Sequence, residues 1–175
     1  MDYLREMGSD QICTICIDNG GSCCSGCLHL ANGVGCKSRN TSCTAWLCGF
    51  LKYVLYETGH LEEWNDYWEQ VPGQDHRMDF TPATFYIKKS LHVRDLTDLS
   101  QALAFDLKEL SQTHIAIGFI LTLREKLDRY IDQYMYFSND PAKQKILKTH
   151  ISQLSSSFPY FHEALVAYRH NMPDV

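Results

Sequence analysis

The sequence predicts a mainly α protein in which an N-terminal cysteine-rich metal-binding loop module packs on an antiparallel helical bundle. Three observations carry this. All eight cysteines of the 175 residues fall between Cys13 and Cys48. Beyond them, apolar residues recur at three- and four-residue steps, the period of an amphipathic helix. The chain is also 45% hydrophobic and 21% charged, enough apolar surface to offset chain entropy in one domain of ordinary size with an appendage. The predicted organisation is a cysteine-rich metal-binding module with its following helix at 1–60, an acidic helix and extended linker at 61–93, and a helical bundle at 94–175.

Composition narrows the function classes. The formal net charge is −5, and the window 61–80 carries all of it: Glu62, Glu63, Asp66, Glu69, Asp75 and Asp79 stand against Arg77 alone. The rest is near balance, with a small lysine excess at Lys143, Lys145 and Lys148. No basic stripe of the kind that binds a phosphate backbone is present, so nucleic acid is disfavoured as the main ligand. The longest strongly apolar run without a charge, Ile115 to Leu123, falls far short of the roughly 20 residues of a bilayer span. No membrane segment is expected. The first ten residues lack the cationic start and apolar stretch of a secretory leader, which predicts a cytoplasmic protein.

The cysteines are Cys13, Cys16, Cys23, Cys24, Cys27, Cys36, Cys43 and Cys48, and none occurs afterwards. An even count suits a disulfide framework, but the missing leader and the cysteine-free remainder weigh against it. Metal binding fits better. Cys13-x2-Cys16 and Cys24-x2-Cys27 each put two thiolates on one tight turn, and two such ends grip a tetrahedral ion with metal–sulfur bonds of about 2.3 Å. Neighbouring Cys23 and Cys24 point to opposite sides of an extended segment, which argues for two sites. Eight thiolates at four per ion give the same number. Zinc is favoured because a structural tetrahedral ion needs no assembly machinery; an iron–sulfur cluster, which also accepts four thiolates, stays open. His29 reads as a loop imidazole rather than a ligand, and His60, just past a helix end at Gly59, is a weaker candidate still.

Gly21-Ser22-Cys23-Cys24 preceded by Cys13-x2-Cys16, then Gly35-Cys36 and a last group ending Trp46-Leu47-Cys48, resembles the bacterial cysteine-rich family of zinc- or iron-chelating domains. In that family a C-x2-C-G-x-C-C core precedes a Gly-Cys and further cysteines. Here six residues, Ile17 to Ser22, separate Cys16 from Cys23 where the family core has two. The resemblance covers residues 13–48 and implies a metal site, with all eight cysteines as candidate ligands.

The helices follow in order. Ser42 caps a segment with Leu47, Leu51, Val54 and Leu55 inward, ending at Gly59, so that Cys43 and Cys48 sit on its first turns. Leu61 to Val71 reads as an acidic helix with Trp64, Tyr67 and Trp68 in the core, stopped by Pro72-Gly73. The stretch 80–93, with Phe85-Tyr86-Ile87, is a strand or extended link. Asp95 and Asp98 open a helix with Leu96, Leu99, Leu103, Leu107 and Leu110 on one face. A second starts near Thr113 and carries Ile120, Leu123, Leu127, Ile131 and Tyr134 to about Phe137. Because Ile115–Leu123 is apolar on nearly every side, that helix must be central or meet another chain. Asn139-Asp140-Pro141 caps the next, with Leu147, Ile151, Leu154 and Phe158 inward. Pro159 starts a last helix to about His170 with Phe161, Leu165 and Tyr168 inward.

No nucleophile elbow, phosphate loop or H-E-x-x-H is present, and Asp75-His76-Arg77 reads as a solvated loop. The expectation is a cytoplasmic metal-binding protein acting as a structural, interaction or regulatory module for a protein partner, with a homodimer as one form of that partnership. The alternatives are an iron–sulfur redox or group-transfer enzyme and, third, a zinc-dependent nucleic-acid binder.

Overall fold

Some helix starts are set by local chemistry that the sequence carries openly, while others, and helix pairing as a whole, are set by close contacts that it does not. The computed structural model describes residue 4 and residues 7–22, 30–31, 35–36, 41–75, 78–92, 95–114 and 116–171; the side chains of 30, 31, 35, 36, 75, 78 and 79 lie outside the description. In chain order the elements are α1 (Ser9–Asp18), β1 (Leu30–Ala31), β2 (Gly35–Cys36), α2 (Thr41–Ala45), α3 (Gly49–Glu57), α4 (Leu61–Glu69), β3 (Gln74–Asp75), β4 (Met78–Asp79), α5 (Thr97–Thr113), α6 (Phe119–Tyr136), α7 (Pro141–Ser155) and α8 (Pro159–His170). The protein is mainly helical and held together by helix–helix packing. The two-residue strands form two antiparallel hairpins, β1 with β2 and β3 with β4.

Each long helix buries the stripe its spacing predicts. In α5 this is Leu99, Leu103 and Leu107, in α6 Ile120, Leu123, Leu127 and Ile131, and in α7 Leu147 and Ile151. The expected cap at Asp140 forms, accepting the Lys143 N–H at 3.1 Å with Pro141 at the first helical position, whereas Asp95 lies one residue before the cap position, which Leu96 holds, and accepts the Thr97 N–H at 2.9 Å. These bonds hold both exposed carboxyls below the usual carboxylate range: the Thr97 hydroxyl and N–H act on Asp95, the Lys143 N–H on Asp140.

One hydrophobic core runs from Leu4, Met7 and Ile12 through Phe50, Tyr53 and Val54 to Phe161 and Leu165. Its centre is α3, in which Phe50, Leu51, Tyr53, Val54 and Leu55 are all buried, so that the helix is covered on most sides. On its remaining face α3 crosses α6 at very short range. A Cβ on Gly49 would collide with the Arg124 carbonyl oxygen and lie 2.7 Å from the Asp128 nitrogen, both backbone atoms of α6. Only glycine fits there. One turn on, the Lys52 ammonium sits 2.8 Å from Asp128 and 2.7 Å from Asp132, and one turn further the Tyr56 and Tyr134 rings meet edge to face at 5.2 Å. Burial alone would push the Lys52 ammonium down, but the bonds and charges of the two aspartates outweigh it and hold the group above the ordinary lysine range.

Residue numbers along this seam rise together, so α3 and α6 run parallel. The same holds for α3 and α8, where the Tyr53 ring packs at a tilt against Phe158 and Phe161 and Glu57 accepts from Arg169. The pair α6 and α7 is antiparallel, with Tyr130 against His150 and Gln144 donating to the Tyr134 carbonyl. The N-terminal third therefore inserts a parallel helix into what the periodicity alone reads as an antiparallel bundle.

A second long-range tie joins α5 to α8. Asp106, 2% exposed, accepts the N–H groups of Tyr160 and Phe161 at 3.2 and 2.8 Å, and so caps the start of α8 from another helix. Burial pushes its carboxyl up, against the pull of those two N–H groups and of His162.

Three expectations change, and of the strand or extended link read for 80–93 the strand is absent among the described residues. The helix anticipated from Ser42 to Gly59 is two helices, because backbone extension at Cys48 (ψ 164°) turns Leu47 and Cys48 both into the core and brings Gly49 onto α6. In the stretch 80–92, Phe80 and Tyr86 are 69% and 84% exposed. The helix expected from Thr113 starts at Phe119, after a turn that ends with Gly118 at φ 80°. The apolar run Ile115–Leu123 thus straddles a turn rather than lying on one central helix: Ile120 and Leu123 are buried while Ile117 is fully exposed.

Two outcomes test these contacts. Gly49→Ala overpacks a backbone crossing and is expected to cost about 2 kcal/mol in denaturant unfolding; a change within about 0.5 kcal/mol, the usual range at tolerant surface sites, would show that α3 and α6 are not this close. Asp106→Ala strands two buried N–H groups and is expected to cost about 2 kcal/mol. Asp106→Asn, which keeps an acceptor, should recover part of that loss, and equal losses for both variants would contradict the capping role.

Candidate functional site

The cysteine segment meets the helical core at both of its ends. At the first, Cys13 and Cys16 lie within α1, so the C-x2-C pair expected on a tight turn occupies one turn of regular helix. Cys16 faces inward with Ile12 and Ser9 and is 7% exposed, while Cys13 is half-buried. Residues three apart lie near one helix face, but here Cys16 is turned into the core and Cys13 stays half-buried beside it. After α1 the chain folds back: Gly21 donates its N–H to the Cys16 carbonyl at 2.8 Å, and a side chain on Gly21 would strike the Cys16 sulfur. The glycine is what lets the returning chain lie against that sulfur.

At the second end, Cys43 is half-buried in α2 and Cys48 is 7% exposed at the residue before α3. The last carbonyl of α2, at Ala45, accepts the Trp64 indole N–H at 3.1 Å, which fixes α2 against α4. Between the two ends, Cys36 lies on β2, its backbone opposite Leu30 of β1. Cys23, Cys24 and Cys27, with His29, lie outside the described residues, as does the Cys36 side chain. Among the described residues no group of three or more histidine, cysteine, aspartate or glutamate side chains is arranged to hold a metal ion.

The residue that sequence reasoning missed is Arg124 of α6. Its guanidinium Nη1 donates to the Cys16 sulfur at 3.3 Å and to the Ser22 carbonyl at 3.2 Å, and its side chain is only 15% exposed. A faint signal existed: Arg124 falls beside the stripe Ile120, Leu123, Leu127, where a helix meets its neighbours rather than solvent. The backbone of the same residue is the surface against which Gly49 packs.

Elsewhere, polar groups serve as latches. His60 has its Nε2 3.2 Å from the Tyr168 hydroxyl and its Nδ1 3.5 Å from Glu63, and Arg169 donates to the Glu57 carbonyl and carboxylate, so the end of α8 is tied to the corner between α3 and α4. Of the trio Asp75-His76-Arg77, His76 and Arg77 lie outside the described residues. Two open concavities, of about 520 Å³ beside Lys145, Lys148 and Ser152 of α7 and about 490 Å³ beside Trp68 and Gln74, include no cysteine. No helix among the described residues is long and apolar enough to cross a membrane. Compared with known proteins, the chain matches no protein-family model, no curated protein and no solved structure at a significant level.

Proposed function

We propose that the chain is a metal-binding protein in which the thiolates of the 13–48 segment take zinc, two ions for eight cysteines, and that the loaded segment acts as a structural or regulatory module presenting the helical surface to a protein partner in the cytoplasm. The observation that supports this most is the confinement of every cysteine to the 36 consecutive residues 13–48, near whose two ends Cys16 and Cys48 are buried in the core. A segment rich in glycine and poor in apolar periodicity gains little from burial, and a bound ion replaces the missing core. When bound, zinc supplies four-coordinate cross-linking of the loop, with Cys13 and Cys16 as one chelating pair.

An iron–sulfur cluster uses the same ligand chemistry, and colour separates the two, since zinc absorbs no visible light and thiolate-ligated iron gives a brown solution. The net charge of −5 argues against nucleic acid. Full-length protein purified anaerobically under reducing conditions, never exposed to chelator, is expected to contain near two equivalents of zinc by elemental analysis. Less than about half an equivalent of zinc and iron together would remove the metal reading.

A further inference from the structure

Residues 88–92, which have no regular secondary structure, lie along α4 beside positions 63, 66 and 70, whose spacing puts them on one side of the helix. The contact is made chiefly to their backbone. Gln70, the residue after α4, accepts the Lys88 and Lys89 N–H groups on Oε1 at 2.7 and 3.0 Å and donates from Nε2 to the Lys89 carbonyl at 3.1 Å. Its amide also donates to the Asp66 carbonyl at 2.9 Å, which fixes the side chain on the helix. Glu63 accepts the His92 N–H at 3.0 Å. Two side chains of the segment take part as well: the Lys89 ammonium meets Asp66 at 2.9 Å, and Leu91, 6% exposed, enters the core.

Backbone bonds of this kind serve any chain that takes the same shape, while Asp66 and the socket of Leu91 select a lysine followed two residues later by an apolar side chain. Charge favours the same ligand, since the window 61–80 carries the whole negative charge of the protein and Glu62 and Glu69 stand exposed on α4. The segment is also released at low cost: the Lys89–Asp66 pair is about half exposed and so contributes little, the Gln70 bonds are open to water, and residues 82–86 before it are all exposed. We propose that the Glu63, Asp66 and Gln70 face of α4 is a binding site for a lysine-bearing peptide segment of a partner protein, and that residues 88–92 occupy it in cis as a lid that the partner displaces. The site uses none of the cysteine segment and is independent of the metal reading. The affinity measured for such a peptide is its intrinsic affinity scaled by the fraction of molecules with the lid open, so weakening the lid strengthens binding.

The test uses full-length protein and, as probe, a fluorescent synthetic peptide copying residues 86–92, with binding read by anisotropy. Lys89→Glu, at an exposed position where the new carboxylate repels Asp66, loosens the lid and should bind the peptide roughly 3- to 10-fold more tightly than wild type. Adding Gln70→Ala to Lys89→Glu removes the group that reads the backbone and should abolish that gain. In wild type, saturating peptide should quicken hydrogen exchange at the Lys88, Lys89 and His92 amides as the lid leaves, an effect that a loop merely tethered to α4 would not show. The proposal is overturned if Lys89→Glu binds no more tightly than wild type, if the double variant binds as well as Lys89→Glu, if a scrambled peptide of the same composition binds equally, or if exchange at the lid amides is unaltered by peptide.

Discussion

The contact on which the rest depends is the backbone crossing of α3 and α6 at Gly49. Absence of a side chain lets the start of α3 lie on the Arg124 carbonyl and the Asp128 nitrogen. That closeness sets everything further along the seam: Lys52 falls between Asp128 and Asp132, and Tyr56 reaches Tyr134. A half-buried ammonium in a triad with two carboxylates adds little net stability but specifies alignment, since slipping the helices by one turn would leave a charge unpaired. The crossing therefore fixes both the distance and the register of the central pair.

Register has a consequence for the cysteines. Because α6 is held at Arg124 by its backbone, the side chain of the same residue reaches the other way, to Cys16 and Ser22. One residue thus joins the helical core and the cysteine segment. The second end of that segment is held as firmly, since Cys48 immediately precedes the glycine that makes the crossing. The long-range ties at the far side, Asp106 to the start of α8 and Arg169 to Glu57, hold α8 against the same central helix and its neighbour α5.

What was legible in the sequence is what depends on neighbours within a few residues. Asp140-Pro141 and Asp95 announce helix starts by local hydrogen bonds, and the leucine stripe of α5 announces its buried face. What depends on distant partners was not legible. The break at 46–48 exists because Gly49 must reach α6, and nothing within the segment Ser42–Gly59 reports that need. The apolar run Ile115–Leu123 looks like one helix by composition, yet Gly118 takes a positive φ and splits it, leaving Ile117 in solvent. The same distinction applies to the candidate site: the spacing of Cys13 and Cys16 suggests a chelating pair, but that the pair lies on a helix, and that an arginine 108 positions away meets one of its sulfurs, are facts of packing.

The central claim is that α3 and α6 form one cooperative unit through the Gly49 crossing. Native-state amide hydrogen exchange tests it most directly, because it reports the free energy of opening helix by helix. The account predicts that the amides of Tyr53–Leu55 in α3 and of Leu127–Ile131 in α6 exchange with the same opening free energy, equal to that of global unfolding. Exchange of the α3 amides at a free energy several kcal/mol lower, through local detachment of the N-terminal helices from an intact bundle, would contradict it.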